Sequence, residues 1–459
     1  MLTLIKNGNV VTSSETFVSD ILVEDEIIKA IGKFDEKIAD VVIDATGKYV
    51  MPGAIDAHTH MELRQSEKFT SVDDFYTGTV AAACGGTTTI IDHIAFGPAG
   101  CNLHYSIDRY KELAEKSAID YAFHGVIQHV DDEIIKELEN IVENEGIISF
   151  KAYSTYGFPT TDEGFYRILQ SMKKTGGVLT VHCENHEITN YLQKKFVQEG
   201  KTEPIYHALS RPNNAESETV GRLIQLSELA DDSNLYIVHT SAKESIDQIK
   251  LAREKGLKNL KVETCPQYLL LTDDCYKKEN DEGLKYIMAP PLRKKEDNEV
   301  LWTALQDGTV DVIATDHCPF YFSEKLEGKG NFTKAPGGAP GVEERVRLIF
   351  TYGVCKNKIS VNKFVELMCE NPARIFGMYP KKGTIMPNAD ADIMIIDDKV
   401  SEKLKQVNLH SACDYTPYED FEVSCKIDCV LSRGKIVYQD GHFKGEKGYG
   451  KFVHRKPVK

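Results

Sequence analysis

Eight short apolar runs fill the middle of this chain, and segments of helical periodicity separate most of them. The runs are 53–58, 87–93, 121–127, 146–151, 178–182, 235–239, 260–264 and 310–316. Residues 132–138 and 217–229 carry apolar positions at helical spacing between them. Eight strand–helix units over roughly 260 residues match the size of a (β/α)₈ barrel, an α/β fold of TIM type. A doubly wound open sheet shares the same alternation and is the competing arrangement.

The two ends have a different texture. Ile21-Leu22-Val23-Glu24-Asp25-Glu26-Ile27-Ile28 reads as short antiparallel strands joined by turns. The same texture returns in Ala391–Ile396 and Cys429–Val437. We therefore expect residues 1–52 and 378–459 to pair into one small β-sandwich beside a barrel of residues 53–377. Phe376-Gly377 and Lys382-Gly383 read as the helix end leading back to it.

In a parallel barrel all C-terminal strand ends face one mouth, where active sites are built. Here the first run ends in Asp56-Ala57-His58-Thr59-His60 and the fourth in Ser149-Phe150-Lys151. The fifth ends in His182-Cys183-Glu184, the sixth in Val238-His239 and the eighth in Thr315-Asp316-His317. Four histidines, one lysine and one aspartate would thus meet in one small volume. Each has a plainer reading: a lone histidine at a strand end is often only hydrogen-bonded, and Asp316 can equally cap a helix. The pair His58 and His60 carries more weight, because a two-residue period puts both imidazoles on one side of the chain. Lys151 is the hardest to explain structurally, since a buried ammonium without a nearby acid costs several kcal/mol.

Charge and cysteine content narrow the partners and the setting. A formal net charge of -15 with no basic cluster argues against nucleic acid. The tail from Lys451 to Lys459 reads as a solvated end. No apolar run approaches the roughly 20 residues of a membrane span, and the N-terminus lacks the features of a signal peptide. Eleven cysteines without CxxC pairs suggest reduced thiols and a cytoplasmic setting.

The ordered set DAHTH, SFKAY, VHCEN, VHTS, ETCPQYL, APPLR, ATDHCP, GGAPGVEER and NPARIFG resembles the amidohydrolase superfamily. Within it the chain is similar to the hydantoinase and dihydropyrimidinase family, nearest to the D-phenylhydantoinase branch through DHIAFGPAGC and FHGVIQH. The resemblance extends through DYTPYE and so covers essentially the whole chain. It implies two divalent metal ions, zinc first, with manganese or cobalt as alternatives. His58, His60 and Asp316 would bind the inner ion, and His182 and His239 the outer one. Lys151 would be N6-carboxylated and bridge the two.

The implied reaction is the opening of a hydantoin or dihydropyrimidine ring to an N-carbamoyl amino acid by a metal-bridging hydroxide. Asp316 would carry the proton to the leaving nitrogen, and Tyr156 would donate to the developing oxyanion. Substrate would also bind main-chain groups at Ala289 and Gly337, where relatives carry Ser and Asn. The polar segment 61–69 replaces the apolar loop usual for aromatic substrates, which points to a small or polar substituent. A homotetramer is likewise implied by the resemblance alone. Two rival readings remain: a sister allantoinase or other ureide hydrolase, and a non-catalytic scaffold related to dihydropyrimidinase. Glu62 stands where dihydroorotases carry an arginine, which argues against that activity.

Overall fold

A computed structural model describes residues 1–458. Eight parallel strands form a near-closed barrel: β1 Ala54–Thr59, β2 Thr87–His93, β3 Asp120–Val126, β4 Ser149–Tyr153, β5 Val178–His182, β6 Leu235–Ile237, β7 Leu260–Thr264 and β8 Val312–Ile313. Each pairs in parallel with the next, and most of their residues are fully buried, as expected for strands covered on both faces.

The last seam closes by side chains as much as by strand pairing. Beyond β8, Asp316 N donates to His58 O at 2.9 Å and His60 N to His317 O at 2.9 Å. Thr315 Oγ1 donates to Asp56 Oδ2 at 2.7 Å. Arg345, wholly buried, donates to Ile55 O at 3.0 Å and Ile313 O at 2.8 Å, stitching β1 to β8.

Three strands differ from the sequence expectation. β6 stops at Ile237 and β8 at Ile313, because His239 and Asp316 turn into left-handed backbone, with φ of 38° and 56°. β4 starts only at Ser149, since Gly146, with φ of 71°, still belongs to the end of the preceding helix.

Strands from both chain ends form one nine-stranded sheet. Leu2–Val11 pairs antiparallel with Thr16–Glu24 but parallel with Val41–Asp44 and Tyr49–Pro52, so the N-terminal part is mixed rather than purely antiparallel. Ile393–Asp397 then joins Tyr49–Pro52 to Lys426–Ser432. Ile5, Val10, Ile21, Val50, Ile393 and Leu431 belong to a core of its own.

A buried charge cluster pins this sheet to the barrel. Lys382 Nζ lies 2.8 Å from Asp120, 3.0 Å from Asp390 and 2.6 Å from Asp392, and Arg433 reaches Asp120 at 3.0 Å. Lys382 thus does more than lead out of a helix.

The C-terminal tail is not a solvated end. Val453 N donates to Tyr121 O at 2.7 Å, and buried Arg455 donates to Ser149 Oγ at 2.9 Å and to Phe123 O. The strand edges of the barrel supply acceptors that tail composition does not reveal. Among the described residues no helix is long and apolar enough to cross a membrane.

Candidate active site

The C-terminal ends of the barrel strands open into a cavity of about 540 Å³, and all nine residues singled out from the sequence line it. β1 delivers His58, and His60 follows two residues on, so both rings turn inward with centroids 5.1 Å apart. Asp316 Oδ1 sits 3.1 Å from His58 Nε2 and 3.0 Å from His60 Nε2. Donor atoms of these three residues lie within 4.8 Å of one another. Asp316 follows β8 in left-handed backbone and caps no helix.

The other two histidines converge in the same way. His182 Nδ1 and His239 Nε2 lie 3.0 Å apart, from the ends of β5 and β6. Lys151, on β4, is 1% exposed and makes no ion pair among the described residues; its Nζ lies 5.3 Å from the centre of the Tyr153 ring. Burial pushes its amine down to about 8, with Asp316 and Glu263 opposing only in part.

This donor set suits divalent cations. Ligand atoms around a tetrahedral zinc with bonds of about 2.0 Å stand about 3.3 Å apart, close to the separations found in both clusters. His58 Nε2 is buried without a hydrogen-bond partner, and it points at Asp316. Such an orphaned ring nitrogen is costly unless something takes its lone pair.

Carboxylates behind the rings fix which nitrogen faces the cavity. Glu263 Oε1 meets His58 Nδ1 at 2.7 Å and also accepts from His239 N at 2.9 Å, while Tyr236 Oη donates to its other oxygen at 2.8 Å. Glu184 Oε2 meets His182 Nε2 at 2.7 Å and pairs with Arg211. Burial opposes the Glu184 charge, yet Arg211 and His182 hold it at about 2. His60 Nδ1 is 3.3 Å from His93 O. Neither Glu263 nor Glu184 was given a role from the sequence. Glu263 inside the apolar run Leu260-Lys261-Val262-Glu263-Thr264 is the signal that was there to read.

Three further histidines, His93, His124 and His317, are buried next to these clusters. His93 stacks on His124 at 4.1 Å and packs at a tilt against His58 at 4.1 Å. His124 is held by Ala57 O at 3.0 Å and Ser149 Oγ at 2.7 Å, and His317 by Asp73 at 3.0 Å. Cys183 is buried against its own strand, and Cys318 lines the cavity; all eleven cysteines are free.

Tyr156 stands over the His182 ring at 4.8 Å, 39% exposed to the cavity, in left-handed backbone with φ of 72°. Tyr156, His239 and Asp316 thus all occupy a region that costs a non-glycine residue about 1 kcal/mol or more, a feature that concentrates at functional sites. Leu63, Arg64 and Gln65 from the polar segment do reach the cavity, whereas Glu62 turns away to Lys116 at 2.8 Å. The wall is not uniformly polar. Phe96 packs on Tyr153 at 5.1 Å and on Phe158 at 5.0 Å, and all three line the cavity. This aromatic face comes from the loop after β2, the end of β4 and the loop that follows it, too far apart in sequence to be read as one patch.

Residues 49–437 match the sequence profile of the amidohydrolase family. The chain is 44% identical to a D-phenylhydantoinase of Escherichia coli strain K12 over 100% of its own length and 99% of the relative's. It is similar to the crystal structure of dihydropyrimidinase from Brevibacillus agri, with a TM-score of 0.97, 42% identity and full coverage of both chains. The D-hydantoinase (dihydropyrimidinase) from a Thermus species matches with a TM-score of 0.96 and 37% identity over 99% of each chain. With that breadth of agreement, the chain belongs to the amidohydrolase family, in the branch that holds the D-hydantoinases and dihydropyrimidinases.

Proposed function

We propose that this chain opens hydantoin- or dihydropyrimidine-type rings at a two-metal centre built from His58, His60, Lys151, His182, His239 and Asp316. That it is a hydrolase acting on cyclic amides follows from its family and full-length relatives. The observation that carries the finer reading is the convergence of six side chains from five strand ends, in two clusters spaced as ligands are.

His58, His60 and Asp316 would hold one cation, and His182 and His239 the other. Zinc is the metal we propose, given nitrogen and carboxylate donors. When bound, the cations supply Lewis acidity that brings the pKa of a water down toward neutrality. Lys151 would carry a carbamate as the anionic ligand between them. The low pKa of its amine supports this, because the neutral amine is the form that adds CO₂.

The chain's own residues then do the rest. Asp316 carries a proton from the attacking oxygen to the ring nitrogen that leaves. The Tyr156 hydroxyl donates to the carbonyl oxygen as charge develops on it. Main-chain groups at Ala289 and Gly337 hold the ring edge, and Phe96, Tyr153 and Phe158 give an apolar face for a substituent. The full set of donors favours catalysis over a scaffold role. A homotetramer is carried over from the resemblance alone, and the free thiols accord with a cytoplasmic setting. Turnover of a panel of dihydrouracil, hydantoin, phenylhydantoin and allantoin by zinc-loaded protein tests the proposal; allantoin as the sole substrate would favour the ureide alternative.

A further inference from the structure

One wall of the cavity is a backbone edge already in use. Gly337 donates its N–H to Gln65 Oε1 at 3.1 Å, and the Gln65 Nε2 donates to Gly337 O at 2.8 Å. A single carboxamide therefore takes both backbone groups of one residue. A primary carboxamide and the CO–NH edge of a cyclic imide or ureide present the same adjacent acceptor and donor. Both residues line the cavity that holds the candidate metal ligands.

The two partners are held very differently. Lys325 is fully buried and donates to Ile287 O at 2.7 Å, Pro336 O at 2.7 Å and Gly338 O at 2.6 Å. Gly338 N also donates to Ile287 O at 3.0 Å. The carbonyls on both sides of Gly337 are thereby fixed, so its edge cannot turn from the cavity. Gln65, by contrast, sits at the exposed tip of a hairpin that runs from Glu62 to Asp73, where Gln65 N donates to Phe69 O at 3.0 Å. Its side chain is exposed, and two neutral hydrogen bonds at the surface hold it only weakly.

We propose that the Gln65 carboxamide is a resident occupant of the ring-recognition edge at Gly337, which the imide or ureide edge of the substrate displaces. This rests on the functional reading above. Gln65 makes Gly337 selective for ligands that offer donor and acceptor side by side, since a ligand with only one must replace two bonds with one. Resident occupancy also lowers apparent affinity by the fraction of molecules in which the edge is free.

The test is the KM for dihydrouracil of zinc-loaded wild type, Gln65→Ala and Gln65→Glu. Alanine removes both bonds, and glutamate cannot donate to the Gly337 carbonyl. KM is expected to fall about 3- to 10-fold in both variants, with kcat within about twofold and metal content unchanged, as for relief of a competitor held by two weak bonds. A KM that rises or stays level in either variant overturns the proposal, because Gln65 would then be aiding the substrate or ignoring it. Wild-type protein that opens no ring in the panel overturns the function itself, and the displacement with it.

Discussion

His182 Nδ1 and His239 Nε2 face each other at 3.0 Å, while Glu184 holds the far nitrogen of the His182 ring at 2.7 Å. Glu184 is anionic and accepts a hydrogen bond from the Nε2–H, so His182 presents its Nδ1 lone pair toward His239. Two ring nitrogens aimed at one point are arranged for a shared cation, and the carboxylate behind sets the tautomer.

Glu184→Gln should therefore weaken the outer ion without moving its ligands. Groups of this kind are worth about 10- to 100-fold in metal affinity or activity. Metal titration of the variant should show one weakened site and one unchanged site. Wild-type affinity at both sites of the variant would remove Glu184 from the account.

The Tyr156 ring packs on the His182 ring at 4.8 Å and lines the cavity, in a strained backbone. Tyr156→Phe keeps the ring and removes only the donor. Turnover is expected to fall about 100- to 1000-fold, the loss typical of one oxyanion donor, with metal content intact. Wild-type turnover in the variant would exclude the role.

The Lys151 amine, pushed down to about 8 by burial, sets a pH signature for carbamate formation. The neutral form is reactive, so it makes up about a tenth of the population at pH 7 and about nine-tenths at pH 9. Metal-stripped protein given zinc at fixed dissolved CO₂ should reactivate faster as pH rises, then level off above about pH 9. An ordinary lysine near pKa 10.4 would give a rate still climbing tenfold per unit at that point.

The strand ends were legible because a buried parallel strand is an apolar run, and a charged or imidazole side chain closing one has few structural uses. His58, His60, Lys151, His182, His239 and Asp316 were all visible on that ground. Glu263 interrupts an apolar run, which marks it as unusual, but its role behind the metal ligands comes only from its contact with His58. The pairing of Gln65 with Gly337 joins loops 272 residues apart, and no local pattern encodes it. Arg455 reads as part of a solvated tail because its partners, Ser149 and Phe123, lie on distant strands.

Lys382 is buried among Asp120, Asp390 and Asp392 at the junction of sheet and barrel. Lys382→Met leaves Asp120 paired with Arg433 and Asp390 near Lys381, and strips buried Asp392 of its ion pair. Removing one partner from a buried ionic cluster costs about 3–5 kcal/mol. Denaturant unfolding should register a loss of that size, with the active-site donors unaltered in the folded fraction. A change below about 1 kcal/mol would mean that the acids are neutral or solvated there.

Whether six side chains cage two ions around a modified lysine is read most directly from protein prepared with zinc and isotopically labelled bicarbonate, by elemental analysis alongside carbon NMR. The expected result is two zinc ions per chain and a labelled carbamate resonance that vanishes in Lys151→Ala. Protein that binds no zinc, or binds it with Lys151 unmodified, would contradict the proposed two-metal centre.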